Sequence, residues 1–192
     1  MSSIAFDPAA WYETIIINDE KILIRPAISE DKEYVWKAFQ AQDDDFFKFL
    51  IQITREMVEI WYKKIDYSRS IPLDAFVVED GSEQIRHFIG NATLGIGGPR
   101  HEHVGGIGMS VIPSYQRRGI GTILIETLIE IGKSLKLRKL VLHVVKENTP
   151  AIRLYEKVGF EKEGILRKHH HLDGKDHDMV CMGLLLEQLE EI

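Results

Sequence analysis

Val111-Ile112-Pro113-Ser114-Tyr115-Gln116-Arg117-Arg118-Gly119-Ile120-Gly121-Thr122 is the stretch on which the fold of this 192-residue chain turns. The apolar segment 107–112 reads as a strand that stops at Pro113, and helical spacing then runs through Ile120, Leu124, Leu128, Ile131 and Leu135. The turn between them therefore opens a helix. A helix N-terminus carries unpaired N–H groups and the positive end of a dipole, so it suits an anion. Gly119 and Gly121 would let the backbone approach that anion, and Arg117 and Arg118 add positive charge in an otherwise acidic chain.

Two phosphate-binding loops fit the spacing poorly, and a phosphate-loop nucleotide binder is kept only as a runner-up. A P-loop needs Gly-Lys-Ser/Thr, whereas Gly121 is followed by Thr122 and Ile123. The dinucleotide fingerprint needs glycine at 124, where the chain has Leu124. Downstream, 140–145 reads as a buried strand. Asn148 or Thr149 then caps a short helix with Pro150 in its first turn and Gly159 at its end.

Outward from this centre, Lys21 to Pro26 reads as a first strand, and Ser29 is expected to cap a helix through Gln40. A second helix is expected from Thr54, with Val58, Trp61, Tyr62 and Ile65 on one face. Strands follow at 75–79, 88–96 and 104–111. Beyond the central helix come a strand at 139–145, a helix at 150–158, and a hairpin of strands at about 160–171 and 176–186. Antiparallel strands, a β-α-β crossover and a closing hairpin make a mixed α/β sandwich. A single domain over 1–192 is expected, with 1–20 as an N-terminal extension, carrying Trp11, Tyr12 and Ile15 to Ile17, that packs on the core or on a partner subunit.

The net charge of −6 argues against nucleic-acid binding. No apolar run is long enough to span a bilayer, and the first residues lack a basic region followed by an apolar one, so a soluble cytoplasmic protein is expected, with no membrane partner. The single cysteine, Cys181, fits a reducing compartment and a buried packing role in the last strand.

Gln116-Arg117-Arg118-Gly119-Ile120-Gly121 follows Q/R-x-x-G-x-G/A, and Asn148, Ala151, Tyr155, Gly159 and Phe160 follow N-x-x-A-I-x-L-Y-x-x-x-G-F. With these two motifs in this order, the chain resembles the GNAT superfamily of acyl-CoA-dependent N-acetyltransferases from about Arg100 to Leu186. The segments 103–111 and 160–167 look like bacterial and archaeal members acting on small amines or amino acids. The resemblance implies an α/β (α+β) fold: a mixed, mostly antiparallel twisted sheet of about seven strands, with helices on both faces, a splayed central strand pair and an acetyl-CoA-binding core at 104–158. It implies acetyl-CoA as co-substrate, a primary amine as acceptor, and a homodimer.

The same resemblance implies a division of labour. Gln116, Arg117, Arg118, Gly119, Ile120, Gly121 and Thr122 would hold the pyrophosphate of coenzyme A. The main chain of Met109, Ser110 and Val111 would pair with the pantetheine arm, and Asn148 would lie along the cofactor. Tyr155 would face the thioester sulfur as general acid; judged alone, it also reads as a core aromatic. A base is needed to deprotonate the amine. Glu102 and His103, at the start of the strand leading to the loop, are the leading choices, with Glu79 behind them and relay through water as an alternative. The acceptor pocket is expected from the loop Gln42-Asp43-Asp44-Asp45-Phe46-Phe47-Lys48-Phe49 and the terminal hairpin. No cysteine or serine sits in a nucleophile motif, so direct transfer is expected. A protein N-terminus or lysine is the alternative acceptor, and a non-catalytic acyl-CoA sensor is the alternative of another class.

Asp173-Gly174 reads as a two-residue turn that sets His170 opposite His177, His171 opposite Asp176, and His169 opposite Asp178. The spacings of structural zinc sites are missing, and no metal is expected.

Overall fold

The computed structural model describes residues 7, 11–42, 53–82, 84–172 and 174–186. Its elements are β1 (Glu13–Ile17), β2 (Glu20–Pro26), α1 (Lys32–Gln40), α2 (Arg55–Lys63), β3 (Ser70–Val78), β4 (Ile85–Ile96), β5 (Val104–Val111), α3 (Ile120–Ser134), β6 (Lys139–Val145), α4 (Thr149–Lys157), β7 (Glu161–Leu172) and β8 (Lys175–Leu185). One eight-stranded sheet runs in the order β1-β2-β3-β4-β5-β6-β8-β7. Only β5 and β6 run parallel, as the crossover through α3 requires.

The eighth strand corrects the expected seven and falls inside the expected extension. Ile15-Ile16-Ile17 pairs with Ile22, Lys21 and Glu20 around a two-residue turn at Asn18 and Asp19, both left-handed at φ 49° and 63°. Such a turn matches the twist of the strands it joins, and Asn and Asp tolerate it better than most residues. Ser29 does not cap α1. Asp31 ties the entry instead, accepting from Ile28 N at 2.9 Å and from both terminal nitrogens of Arg25 at 2.6 and 2.7 Å. Thr54 does cap α2, accepting from Met57 N.

Register assigns the two faces of the sheet. Ala75, Ala92 and Leu94 point toward α3, whose Leu124 and Leu128 are wholly buried. A Cβ on Gly105 would run into Leu94, Leu137 and Leu140, and one on Gly132 of α3 would lie 3.2 Å from Leu140. Residues of opposite parity meet α1 and α2: Tyr34 packs edge-on against Phe76, the Phe39 ring lies tilted against Phe88, and the Tyr62 hydroxyl donates to Asp74 at 2.7 Å. Each fully buried Ile, Leu or Phe contributes on the order of 1.5–3 kcal/mol, and these stripes hold both helical layers on the sheet. A bulge in β4 adds Ile89 between Phe88, opposite Phe76, and Gly90, opposite Ala75. The extra residue keeps Phe88 and Asn91 on the same face despite their odd spacing.

Cys181 is half-buried rather than buried. In the terminal hairpin His170 faces His177 and His171 faces Asp176, as the turn requires. His169 does not face Asp178: a register shift between Leu166 and His170, with Lys168 left-handed at φ 52°, lets Asp178 accept from Lys168 N instead.

Candidate active site

β5 and β6 pair only over Val104–Lys139, Gly105–Leu140 and Gly106–Val141. Beyond Gly106 the strands part, and the β6-facing edge of Ile107 to Val111 is left without a ladder partner while the other edge stays paired with β4. Two strands opening in the middle of a sheet present main-chain donors and acceptors that need partners. An extended amide-bearing chain laid in the opening supplies them.

The glycine-rich turn closes the wide end of this opening. After Ile112, Pro113–Tyr115 form a short 3-10 turn, Arg117 and Gly119 adopt left-handed φ of 60° and 91°, and α3 begins at Ile120. The Gln116 side-chain amide donates back to Val111 O at 2.9 Å, fixing the turn to the end of β5. The first-turn N–H groups of Ile120, Gly121 and Thr122 have no partner within α3, the property that makes a helix start an anion site. The two glycines differ in purpose. Gly119 needs its positive φ and has open space where a Cβ would stand, whereas a Cβ on Gly121 would lie 3.2 Å from Leu154 and 3.5 Å from Met109. Gly121 therefore packs α3 against α4 and β5.

The two arginines also differ. Arg117 is exposed. Arg118 lies over the Tyr115 ring at 4.6 Å and donates to Glu20 at 3.2 Å. The Tyr115 hydroxyl gives its proton to the same carboxylate at 2.8 Å, so His87 Nε2, 2.9 Å from that oxygen, is the donor there. Burial and the Glu20 carboxylate push the Tyr115 phenol up to about 12, and burial holds His87 below its ordinary value.

α4 brings the second motif to the same face as α3. Asn148 is its N-cap, accepting from Ala151 N at 3.3 Å through Oδ1, which leaves its amide NH2 as a donor. Tyr155 is 7% exposed, with its ring 5.9 Å from that of Phe160. Burial pushes its phenol up to about 12.

Glu102 and His103 stand at the opposite end of β5. The His103 carbonyl accepts from Arg138 N and Lys139 N, at the closed end of the parallel pair. Five residue steps, about 17 Å of strand, separate Val104 from Met109. Glu79 follows β3, whose Val78 pairs with Ile85, at the end of the sheet near Lys21. The expected acceptor loop lies outside the described residues from 43 onward. His143 was missed by sequence reasoning. It is exposed on β6 two residues past Val141, level with Gly108 across the opening and on the α1/α2 face, 6.3 Å ring to ring from His169. The alternation of buried Leu140, Leu142 and Val144 with half-buried or exposed Val141 and His143 was the signal that could have found it.

Residues 35–160 match the Acetyltransferase (GNAT) family model. The L-amino acid N-acetyltransferase AaaT of Escherichia coli (strain K12) is 27% identical over 164 residues, covering 84% of this chain and 96% of that protein. Among solved structures, a GNAT-family acetyltransferase from Streptococcus pneumoniae superposes with a TM-score of 0.70 at 26% identity, covering 86% of this chain and 99% of that one. The spermidine N-acetyltransferase of Vibrio cholerae, solved in complex with CoA and spermine, superposes at 0.70 with 20% identity, covering 85% and 95%. The parted parallel pair, the glycine-rich turn at its mouth and the capped helix carrying a buried tyrosine all lie within or beside the residues that match the family model, and the chain belongs to the GNAT family of acetyltransferases.

Proposed function

We propose that this acetyltransferase moves the acetyl group of acetyl-CoA directly to a primary amine, with the thioester threaded through the opening between β5 and β6. The observation that carries this reading is the loss of pairing beyond Gly106 beside an anion-binding turn. The pyrophosphate meets the N–H groups of Gly119, Ile120, Gly121 and Thr122, with Arg117 adding charge, while Gln116 and Arg118 hold the turn in shape. The pantetheine amides pair with the free edge of Met109, Ser110 and Val111, and Asn148 lies along the arm.

The amine nitrogen attacks the thioester carbon, a backbone N–H of the Met109–Val111 segment stabilises the oxyanion, and the C–S bond breaks. Tyr155 meets the departing sulfur. Moving a proton from a phenol at about 12 to a thiolate whose acid has a pKa of ~8.5 is uphill by about 5 kcal/mol, so Tyr155 acts by donating a hydrogen bond rather than by losing its proton. For the base, His143 on the face opposite α3 and α4 is favoured over Glu102 and His103, because it borders the opening beside which the amine must lie. A cytoplasmic homodimer belongs to the same reading; the exposed Tyr12 and Ile16 beside and on edge strand β1 are apolar surface a second copy could cover.

The test is thiol release from acetyl-CoA with a panel of amino acids, polyamines and peptides, run beside Tyr155→Phe. Acceptor-dependent release weakened in the variant is the expected result. Tight acetyl-CoA binding with no release for any acceptor would turn the reading toward an acyl-CoA sensor.

A further inference from the structure

The face of β4 and β5 turned away from α3 has an unusual composition. In register it carries Asn91 opposite Ser110, Thr93 opposite Gly108, and Gly95 opposite Gly106. Gly106 and Gly108 are exposed, and a Cβ built on either would meet nothing within 4 Å. On Gly95 it would meet only Gly106 O, at 3.8 Å. None of the three has a positive φ, so no backbone conformation demands glycine there. What glycine leaves is an open floor beside the point where β5 and β6 part, running about 13 Å from Ser110 to Gly106.

Its inner end is polar and built. The Ser110 hydroxyl donates to Asn91 Oδ1 at 2.7 Å, which spends its proton and leaves its oxygen lone pairs to accept. Asp74 lies directly across β3 from Asn91, 1% exposed, with Oδ2 held by Tyr62 and Oδ1 without a partner among the described residues. Arg25, next in the same row, is bound to Asp31 through both terminal nitrogens. Among the described side chains of this row and floor, the Ser110 hydroxyl oxygen is an acceptor for an N–H-bearing group, and no uncommitted cation faces a carboxylate.

We propose that the acceptor is an aliphatic primary amine with no neighbouring carboxylate, its chain lying over Gly95, Gly106 and Gly108 and its nitrogen accepted by the Ser110 hydroxyl that Asn91 orients. This rests on the reading that the thioester occupies the opening between β5 and β6. Cofactor and acceptor then reach the reacting carbon from opposite faces of the sheet, so neither must leave before the other binds. An α-carboxylate on the acceptor would meet no uncommitted cation in this row to offset its desolvation, Arg25 being held by Asp31.

The probes are n-pentylamine and L-norleucine, which share a chain and differ by the α-carboxylate. Calorimetric titration with acetyl-CoA is run beside them. The expected wild-type result is a kcat/KM for n-pentylamine at least about tenfold above that for L-norleucine. Gly108→Val fills the floor with a residue strands accommodate, and is expected to raise the amine KM about tenfold while leaving the acetyl-CoA Kd within about twofold. Ser110→Ala keeps the main chain and removes one acceptor, for an expected rise in amine KM of about fivefold. Thermal melting of each variant checks folding, and Gly106→Ala is the milder substitution should Gly108→Val melt early. Equal or better use of L-norleucine, an unchanged amine KM in both variants, or binding of acetyl-CoA with no turnover of n-pentylamine overturns the inference and leaves the cofactor site standing. Failure of the wild type to bind acetyl-CoA overturns the reading beneath it.

Discussion

Arg118 and Glu20 are 98 positions apart in sequence and 3.2 Å apart in space. The pair ties the glycine-rich turn to the start of β2, and Tyr115 hydrogen-bonds the same carboxylate beneath the guanidinium. Both arginines are exposed, but Arg118 is engaged with Glu20 and Tyr115, whereas Arg117 stands on the left-handed backbone of the turn. Arg117→Ala is expected to weaken acetyl-CoA binding about five- to tenfold at low salt, and Arg118→Ala no more than about threefold, because a half-exposed pair contributes only ~0.2–1 kcal/mol and its loss loosens the turn without removing a phosphate contact. Calorimetric titration at two salt concentrations separates them, and the Arg117 effect shrinks as salt rises. Equal losses in both variants would contradict the division of labour.

Tyr155 tests the chemistry at sulfur. Since burial pushes its phenol up to about 12, the group stays protonated across the working range, and no alkaline fall in kcat below about pH 11 is assignable to it. Tyr155→Phe removes a hydrogen bond to developing thiolate charge, worth about 1.5–3 kcal/mol, so kcat is expected to drop roughly ten- to a hundredfold with the acetyl-CoA Kd nearly unchanged. Stopped-flow thiol release separates the chemical step from binding. A wild-type profile that falls between pH 8 and 10 and becomes flat in Tyr155→Phe would show that the phenol titrates there after all.

His143 tests the proposed base. His143→Ala is expected to lower kcat on the order of a hundredfold, with partial recovery on adding imidazole to the assay, and to leave the acetyl-CoA Kd unchanged. Glu102→Gln and His103→Asn, at the closed end of the parallel pair, are expected to stay within about twofold of wild type. A hundredfold loss in Glu102→Gln with none in His143→Ala would restore the earlier assignment.

How far these features could be read from sequence depends on whether their causes are local. The turn at Gly119 and the cap at Asn148 are written into adjacent residues, and both motifs take the predicted strand-turn-helix and cap-helix forms. β1 was not legible, because its turn uses Asn18-Asp19 without glycine and its strand lies at the sheet edge with Ile16 76% exposed. Pairing in the terminal hairpin was legible up to His170–His177 and then failed at Lys168, where a bulge no composition rule signals takes His169 out of register. The parting of β5 from β6 is a property of two strands whose first paired residues are 35 positions apart, so neither His143 at its rim nor the Arg118–Glu20 tie could be inferred from its neighbours.

Asp74 makes a prediction about stability. It is wholly buried, and desolvation drives its carboxyl up to about 8, only partly opposed by the Tyr62 hydroxyl. The charged and titratable groups around it come from every packed element: Tyr62 from α2, Arg25 from β2, Asp31 from the turn before α1, and Tyr67 from the loop before β3. The unfolded carboxyl titrates near ~3.9, so between about pH 4 and pH 8 the folded protein holds a proton that the unfolded chain has lost. The stability this group contributes is therefore full below pH 4 and is lost progressively as pH rises through about 8. Asp74→Asn keeps an acceptor for the Tyr62 hydroxyl and cannot ionise. Its Tm is expected to be flatter than that of wild type from pH 5 to 9 and to exceed it above pH 8. Asp74→Ala is expected to be less stable at every pH, since it leaves the Tyr62 hydroxyl without a partner at a cost of about 1–3 kcal/mol. Melting curves collected across that range for the three proteins decide the point, and a wild-type Tm that rises with pH while Asp74→Asn stays flat would mean that the buried carboxylate is ionised and held by Arg25.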